Sequence, residues 1–342
     1  MKILPIGSFQ LFTKGLAFCL LVAACSPPSA ENQVNKGPGT LAFGSCNRQH
    51  LPQPLWKPIL EEKPDVWVWL GDNIYADTHD MQEMAASYEM QYQQPDYQKL
   101  RVTTPVVGIW DDHDYGINDG GKHYSQKDSS QQLLLDFLEV PKESPRRSQK
   151  GAYAAHTFGS GDRKVKLLLL DTRYHRDTLL KVNGSYVPNE EGTLLGEAQW
   201  KWLEEALEKT DAAIHILASG IQFLPEEHRF EKWANFPAER RRLLALIEKT
   251  NPSGAVLISG DRHISEVSKM TLNNGYPLYE ITSSGLTHVY SDYSGEPNRY
   301  RQGEVIHELH YGLLTIDWEE KRMKFHIKGV EGLALLEQDI SF

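Results

Sequence analysis

The chain is poor in cysteine, with three in 342 residues: Cys19, Cys25 and Cys46. That number excludes a fold stapled by a disulfide framework. It also lacks an apolar run long enough to cross a bilayer, since GLAFCLLVAA, Gly15 to Ala24, falls well short of the roughly 20 residues a spanning helix needs. Positive charge is in deficit: 36 Lys and Arg against 46 Asp and Glu leave a formal net charge of -10. Such a surface does not grip nucleic acid or anionic membranes non-specifically. A small anionic substrate stays open, because bound cations reverse the field locally. There is no repeat of solenoid period and no low-complexity tract beyond one short stretch near the N-terminus.

That N-terminus reads as targeting sequence. Lys2 and Lys14 precede the apolar run, which ends Val22-Ala23-Ala24-Cys25 before Ser-Pro-Pro. Small residues before a cysteine resemble the bacterial lipobox, which makes Cys25 the lipidated first residue of a mature chain. The other reading is an ordinary signal peptide with an incidental cysteine. No paired arginines precede the run, which argues against a twin-arginine signal. The expected division is a lipoprotein signal peptide over 1–24, a flexible tether over 25–38 and a catalytic domain over 39–342. The implied location is outside the cytoplasm, anchored at the outer membrane and facing the periplasm or the cell surface. Cys46 then has no intrachain partner. It is either a buried small hydrophobe or a thiolate ligand or nucleophile.

From residue 40 onward, short apolar runs of strand type alternate with amphipathic helical stretches. TLAFGSC, DVWVWLG, PVVGIW, KVKLLLLD, AAIHILAS and SGAVLISG read as strands. Residues 54–63, 81–93, 129–140, 196–209 and 237–249 read as helices. Trp200, Leu203 and Leu207 form the apolar stripe of one of them. The final ninety or so residues turn β-rich and are expected to make a second sheet packed on the first. Trp56, Trp67, Trp69, Trp200 and Trp202 read as core and packing residues. The predicted class is α/β with a large sheet.

VWVWLGDNIYAD, Val66 to Asp77, sets the functional question, because a buried strand empties at Gly71 into two acids, an amide and a tyrosine. Four other strands do likewise. GSCNRQ brings Cys46; DDHDYGIND brings Asp111, Asp112, His113, Asp114, Asn118 and Asp119; GIQF brings Gln222; DRHISE brings Asp261 and His263. Sites in α/β sheets form beyond the carboxyl ends of strands. A single acidic loop is by default a solvated turn. Several gathered carboxylates repel one another and are reconciled by bound metal.

GSC, LGDNIYAD, WDDHDYGINDGG, LDTRYHRD, LGEAQWKWLEEAL, SGIQF and SGDRHISE follow in that order over residues 44–266. Together they resemble the PhoD-type alkaline phosphatases and phosphodiesterases of the calcineurin-like metallophosphatase superfamily. The resemblance implies a four-layer α/β/β/α sandwich with metal ligands on loops at strand ends. The Asp72–Tyr75 motif is similar to that of purple acid phosphatases. Cys46 takes the place of the first ligand, Asp112-His113 that of an Asn-His pair, Asp261-Arg-His263 that of a His-x-His, and Gln222 that of a lone histidine. One implied site holds Cys46, Asp72, Tyr75 and His263, a donor set that suits Fe3+. The other holds Asp72, Asp112, Gln222 and Asp261, an all-oxygen shell for one or two Ca2+, with Mg2+, Mn2+ or Zn2+ as alternatives. Asp111, Asp114 or Asn118 either serve a second calcium or support the shell.

The implied reaction is attack of a metal-bound hydroxide on a phosphate mono- or diester. His113 is expected as general acid or phosphate donor, or else as a turn histidine holding its loop. Arg173 either contacts a phosphate oxygen or pairs with a supporting carboxylate, and Asn118 is a further substrate-binding candidate. Asp171 reads as structural; His288, near a strand end, either reaches the rim or, as the favoured reading, is a satisfied structural histidine. The competing class is a non-catalytic calcium-binding surface lipoprotein, which leaves Cys46, Tyr75 and His263 without a role. The expected partners are a small phosphate ester and, through Cys25, a membrane, with no specific nucleic-acid binding. Oligomeric state stays open.

Overall fold

A computed structural model describes residues 37–342; the expected signal peptide, Cys25 and most of the expected tether lie outside the described residues. In chain order the first elements are β1 (Thr40–Gly44), α1 (Trp56–Glu62), β2 (Val66–Leu70), α2 (Met81–Tyr92), α3 (Pro95–Thr103), β3 (Val106–Ile109), the single turn α4 (Asp112–Tyr115) and α5 (Lys127–Phe137). There follow β4 (Ala154–Phe158), β5 (Val165–Leu170), β6 (Leu180–Val182), β7 (Ser185–Val187), α6 (Glu197–Glu208), β8 (Ile214–Ser219), α7 (Pro237–Thr250) and β9 (Ala255–Ser259). The last are β10 (Ser265–Thr271), β11 (Pro277–Ser283), β12 (Arg301–Ile306), β13 (Tyr311–Asp317), β14 (Arg322–Lys328) and β15 (Ala334–Ser341).

The strands build two sheets and a small hairpin. One sheet has six strands in the order β15-β14-β13-β1-β2-β3, the other seven in the order β12-β10-β11-β9-β8-β5-β4, and β6 pairs with β7. Within the first sheet β1, β2 and β3 are parallel. Within the second, β5, β8, β9 and β11 are parallel. Parallel strands send all their carboxyl ends to one edge, so each sheet delivers several loops to the same rim.

Side-chain alternation decides the layers. Leu41, Phe43 and Val68 of the first sheet meet Leu167, Ile216 and Ile258 of the second between the sheets. Trp67 and Trp69 turn to the other face, where Trp56 of α1 packs on them at ring separations of 4.9 and 5.5 Å. Such fully buried aromatics contribute on the order of 3 kcal/mol each. Leu168, Leu170, Leu217 and Leu257 face outward from the second sheet, under Trp200 and Leu203 of α6 and Leu243 of α7. This is the expected four-layer α/β/β/α sandwich.

Two expectations need correction. The C-terminal strands do not form a sheet of their own: β10, β11 and β12 extend the second sheet, while β13, β14 and β15 extend the first, β13 pairing antiparallel with β1. Gly37 and Pro38, read as the end of a tether, are buried; the Pro38 carbonyl accepts from Trp318 Nε1 at 2.9 Å. Among the described residues no helix is long and apolar enough to cross a membrane.

Candidate metal centre

The loops after β1, β2 and β9 begin in a backbone conformation that ordinary side chains disfavour. Gly71 closes β2 with φ +93, and a side chain there would overlap Asp111. The next residue, Asp72, has φ +50, and Cys46, Asp261 and His263 have φ of 61, 69 and 54. Four expected ligands therefore sit in the left-handed region, at a cost of about 1–3 kcal/mol each, and such strain persists only where the surroundings enforce it. One source of enforcement is Asp114, whose buried carboxylate accepts from the backbone N–H groups of Asp72, Asn73 and Asp111 at 3.1, 3.2 and 2.7 Å. The two rims are also laced together: Leu286 N donates to the Ser45 carbonyl at 3.2 Å, and Thr287 N to that of Cys46 at 3.3 Å.

The first group of donors comes from both sheets. Cys46 Sγ lies 3.4 Å from Asp72 Oδ2, and Tyr75 Oη lies 3.0 Å from the same oxygen and 3.1 Å from His263 Nε2. Ligand atoms of Cys46, Asp72 and His263 all fall within 4.8 Å of one another. Two further trios meet the same criterion: Asp72 with Asp112 and His113, and Asp111 with Asp112 and Asp261. Asp72 thus joins the first trio to the second, and Asp112 the second to the third.

The charges fit a cation better than they fit each other. Burial, with Asp112 and Asp114 adding and His113 opposing, pushes the Asp72 carboxyl up to about 7. Burial raises Asp261 well above the carboxylate range, with Asp112 and Asp72 adding. Burial and the nearby Asp72 and Asp261 push the Cys46 thiol up, so its thiolate needs a positive partner. Asp112 moves the other way, to about 2, because Arg173, His113 and the Asp119 N–H outweigh its burial. His263 is held down to about 4 by burial and by nearby His113 and Arg262, and so presents a neutral imidazole. Asp72 Oδ1, Asp111 Oδ2 and Gln222 Oε1 are buried with no hydrogen-bond partner. Unpartnered buried oxygens beside strained acidic turns fit bound metal.

The remaining expected residues divide. Gln222 is buried at the end of β8; its Nε2 donates to Glu266 Oε1 and Thr282 Oγ1, both at 2.8 Å, and leaves Oε1 unpartnered. Asn118 is exposed and lines the cleft over the site. Arg173 is fully buried, with Nε 2.7 Å from Asp111 Oδ1 and Nη1 2.6 Å from Glu231 Oε2. Its guanidinium is occupied by carboxylates, which is the second of the two roles left open. Asp171 accepts from three backbone N–H groups, of Ala152, Arg173 and Tyr174, and is structural.

His113 stands at the cleft with its ring stacked on Tyr75, centroids 4.1 Å apart, and Nδ1 2.7 Å from Asp77 Oδ2. Burial lowers its basicity, but Asp72, Asp77 and Asp112 together raise it to about 10. The sequence did not reveal one neighbour and underweighted another. Glu231, buried between Arg173 and Arg176, sits in a stretch with no motif. His288, read as structural, lies in the cleft with Nε2 3.2 Å from His263 Nε2; a histidine two residues beyond a buried Gly-Leu was the available signal.

Comparison with known proteins places this geometry. The PhoD-like phosphatase family model matches residues 41–324. Alkaline phosphatase D of Bacillus subtilis is 24% identical over 320 residues, covering 79% of this chain and 54% of its own, so the chain spans about half the length of that curated relative. A solved structure of PhoD superposes with TM-score 0.73 at 20% identity, covering 90% of this chain and 69% of the other. GAP50, the anchor in the inner membrane complex of Plasmodium, gives 0.60 at 13% identity and 90% coverage of both chains. A dimetal phosphatase from Danio rerio gives 0.56 at 14%, covering 90% of this chain and all (100%) of the other. An anchor and a dimetal phosphatase share the fold, so the fold alone does not decide function. The family match over most of the sequence does decide kinship: this chain belongs to the PhoD-like phosphatase family.

Proposed function

We propose that the chain is a metal-dependent phosphoesterase that hydrolyses phosphate mono- or diesters. The observation that carries this reading is the meeting of Cys46, Asp72, Tyr75 and His263 with Asp111, Asp112 and Asp261 at one rim, beside His113 held by Asp77. Thiolate, phenolate, carboxylate and imidazole suit Fe3+, and the carboxylates with the Gln222 carbonyl oxygen suit one or two Ca2+. Bound ions would supply Lewis acidity and an activated water near neutral pH.

The protein's own residues do the rest. The cleft of about 690 Å³ over the donors admits an ester with its phosphoryl group inward. Asp77 fixes His113 through Nδ1, leaving its other nitrogen to donate a proton to a phosphoryl or leaving-group oxygen. Asp77 is outside the ligand groups, so its share of the His113 shift persists when Asp72 and Asp112 are neutralised. Asn118 presents an amide at the rim. The Arg173–Asp111 pair, at 2.6 Å from Nη2, holds the acidic turn from behind. Non-catalytic calcium storage is the weaker reading, because sulfur, phenol and imidazole donors do not suit that ion.

The test is metal analysis with an ester panel on the wild type and His113→Ala. Iron and calcium in the protein, turnover of an ester and a loss of roughly 10²-fold or more on substitution support the reading. Full zinc occupancy overturns the iron assignment, and wild type that releases phosphate from no ester overturns the enzyme. Export and anchoring through Cys25 are proposed on the lipobox-like run alone; lipid labelling that survives Cys25→Ser would refute them.

A further inference from the structure

The mouth of the cleft holds cations that the rest of the protein does not use. Its carboxylates are all engaged: Asp112 and Asp261 belong to the donor groups, Glu231 pairs with Arg173 and Arg176, and Asp119 accepts from Tyr186. Arg262 is engaged as well, 2.5 Å from Glu296. Arg48 and Arg229 are not. Both are exposed and line the cleft, and among the described residues neither meets a carboxylate. Their contacts are aromatic: the Arg48 guanidinium lies 5.1 Å from the Tyr75 ring centre and that of Arg229 4.9 Å from Phe230.

This is unusual for the chain. On a surface of net charge -10, Arg163, Arg241, Arg242 and Arg299 each find a glutamate. Among the described residues Arg146, which donates to the Ala152 carbonyl, and Arg322 also lack an ion pair, but neither lines the cleft. The positions of the cleft pair are tied to the donors. Arg48 follows Cys46 by two residues and overlies the ligand-type Tyr75. Arg229 adjoins Phe230, whose ring centre lies 4.2 Å from the guanidinium of Arg262, the residue between Asp261 and His263. One uncommitted guanidinium thus stands on each sheet's side of the donor groups.

We propose that the site takes phosphate esters whose alcohol part carries a second negative charge, and that Arg48 and Arg229 grip that second anion. The inference rests on the phosphoesterase reading and deepens it. With the reacting phosphoryl group among the donors, the alcohol part extends toward the mouth. A guanidinium offers a planar fork that matches carboxylate or phosphate oxygens. The ring beneath each guanidinium restricts it without using up its N–H donors.

The experiment compares kcat/KM for phenyl phosphate, 3-carboxyphenyl phosphate and 1,3-phenylene bisphosphate on the metal-loaded full chain. The expected result is a gain of roughly tenfold for either doubly anionic ester over phenyl phosphate, the order set by one charge-assisted contact. The two arms distinguish a carboxylate from a phosphate as the preferred second group. In Arg48→Ala and Arg229→Ala the ratio should fall toward unity, with Lys variants restoring part of it, and rising salt should shrink the wild-type ratio. An enzyme that turns over phenyl phosphate without preferring either anionic ester overturns the inference and leaves the phosphoesterase reading intact. A preference undiminished in both Ala variants overturns the role of the arginines. Absence of turnover on every ester removes the phosphoesterase reading and this inference with it.

Discussion

His113 and Asp77 meet at 2.7 Å although they leave the sheet on different loops, one after β3 and one after β2. The contact orients the imidazole and favours its charged form, together with Asp72 and Asp112, against the opposing effect of burial. Asp77→Asn removes a charge while keeping a polar partner. The alkaline limb of the pH–rate profile should move down by roughly one unit, because one of the groups favouring the imidazolium is gone. His113→Gln should abolish that limb. An unmoved limb in Asp77→Asn would sever the link between the two residues.

Arg173 is expected to act on stability and not on substrate. Its guanidinium is sealed between Asp111 and Glu231, and those anions together outweigh the burial that would otherwise lower its basicity. Arg173→Ala leaves Asp111 buried without its cation, while Glu231 keeps Arg176, and should cost about 3 kcal/mol in urea unfolding. A variant of native stability with collapsed kcat/KM would return Arg173 to the substrate.

Metal should change the pH dependence of stability. In the metal-free protein Asp72 and Asp114 are pushed from 3.8 to about 7 and Glu280 from 4.5 to about 7, burial being the largest cause each time. A folded pKa above the unfolded one means the folded state holds the proton more tightly. Its contribution is full below the unfolded pKa and is lost as pH rises through the folded one. His263, held at about 4 against 6.5, gains stability with pH across that interval and offsets part of the loss. His156 and His310, also held at about 4, and His288, at about 2, add to that gain, so the informative quantity is the difference between the metal-free and metal-loaded protein. Metal loading should therefore raise Tm more at pH 7 than at pH 4, because the ions replace protons at Asp72. Parallel Tm curves for the two forms would show that Asp72 is not a ligand.

Much of this was legible in the residues because strands with strict apolar runs announce themselves. β1, β2, β3, β5, β8 and β9 were all readable, and with them the loops that carry Cys46, Asp72, Asp112, Gln222, Asp261 and His263. What stayed hidden depends on long-range pairing. The division of the C-terminal strands between two sheets is set by which edge each finds, and alternation in sequence does not encode the edge. α3 was missed because it buries only Tyr97 and Leu100 and so shows no stripe. β4 was missed because its alternation of Ala, His and Thr is too faint to stand out. Glu231 was invisible for another reason: its importance comes from two arginines more than fifty residues away.

The donors come from both halves of the sandwich, Cys46, Asp72, Tyr75, Asp111 and Asp112 from loops of one sheet and Asp261 and His263 from the other. An ion held there is a rivet through the joint. Each ion bound only by the assembled form adds to its stability by mass action, about 2.7 kcal/mol at a hundredfold excess over Kd. Any motion that parts the halves must release the ions first, so their dissociation rate becomes a clock for how often the molecule opens.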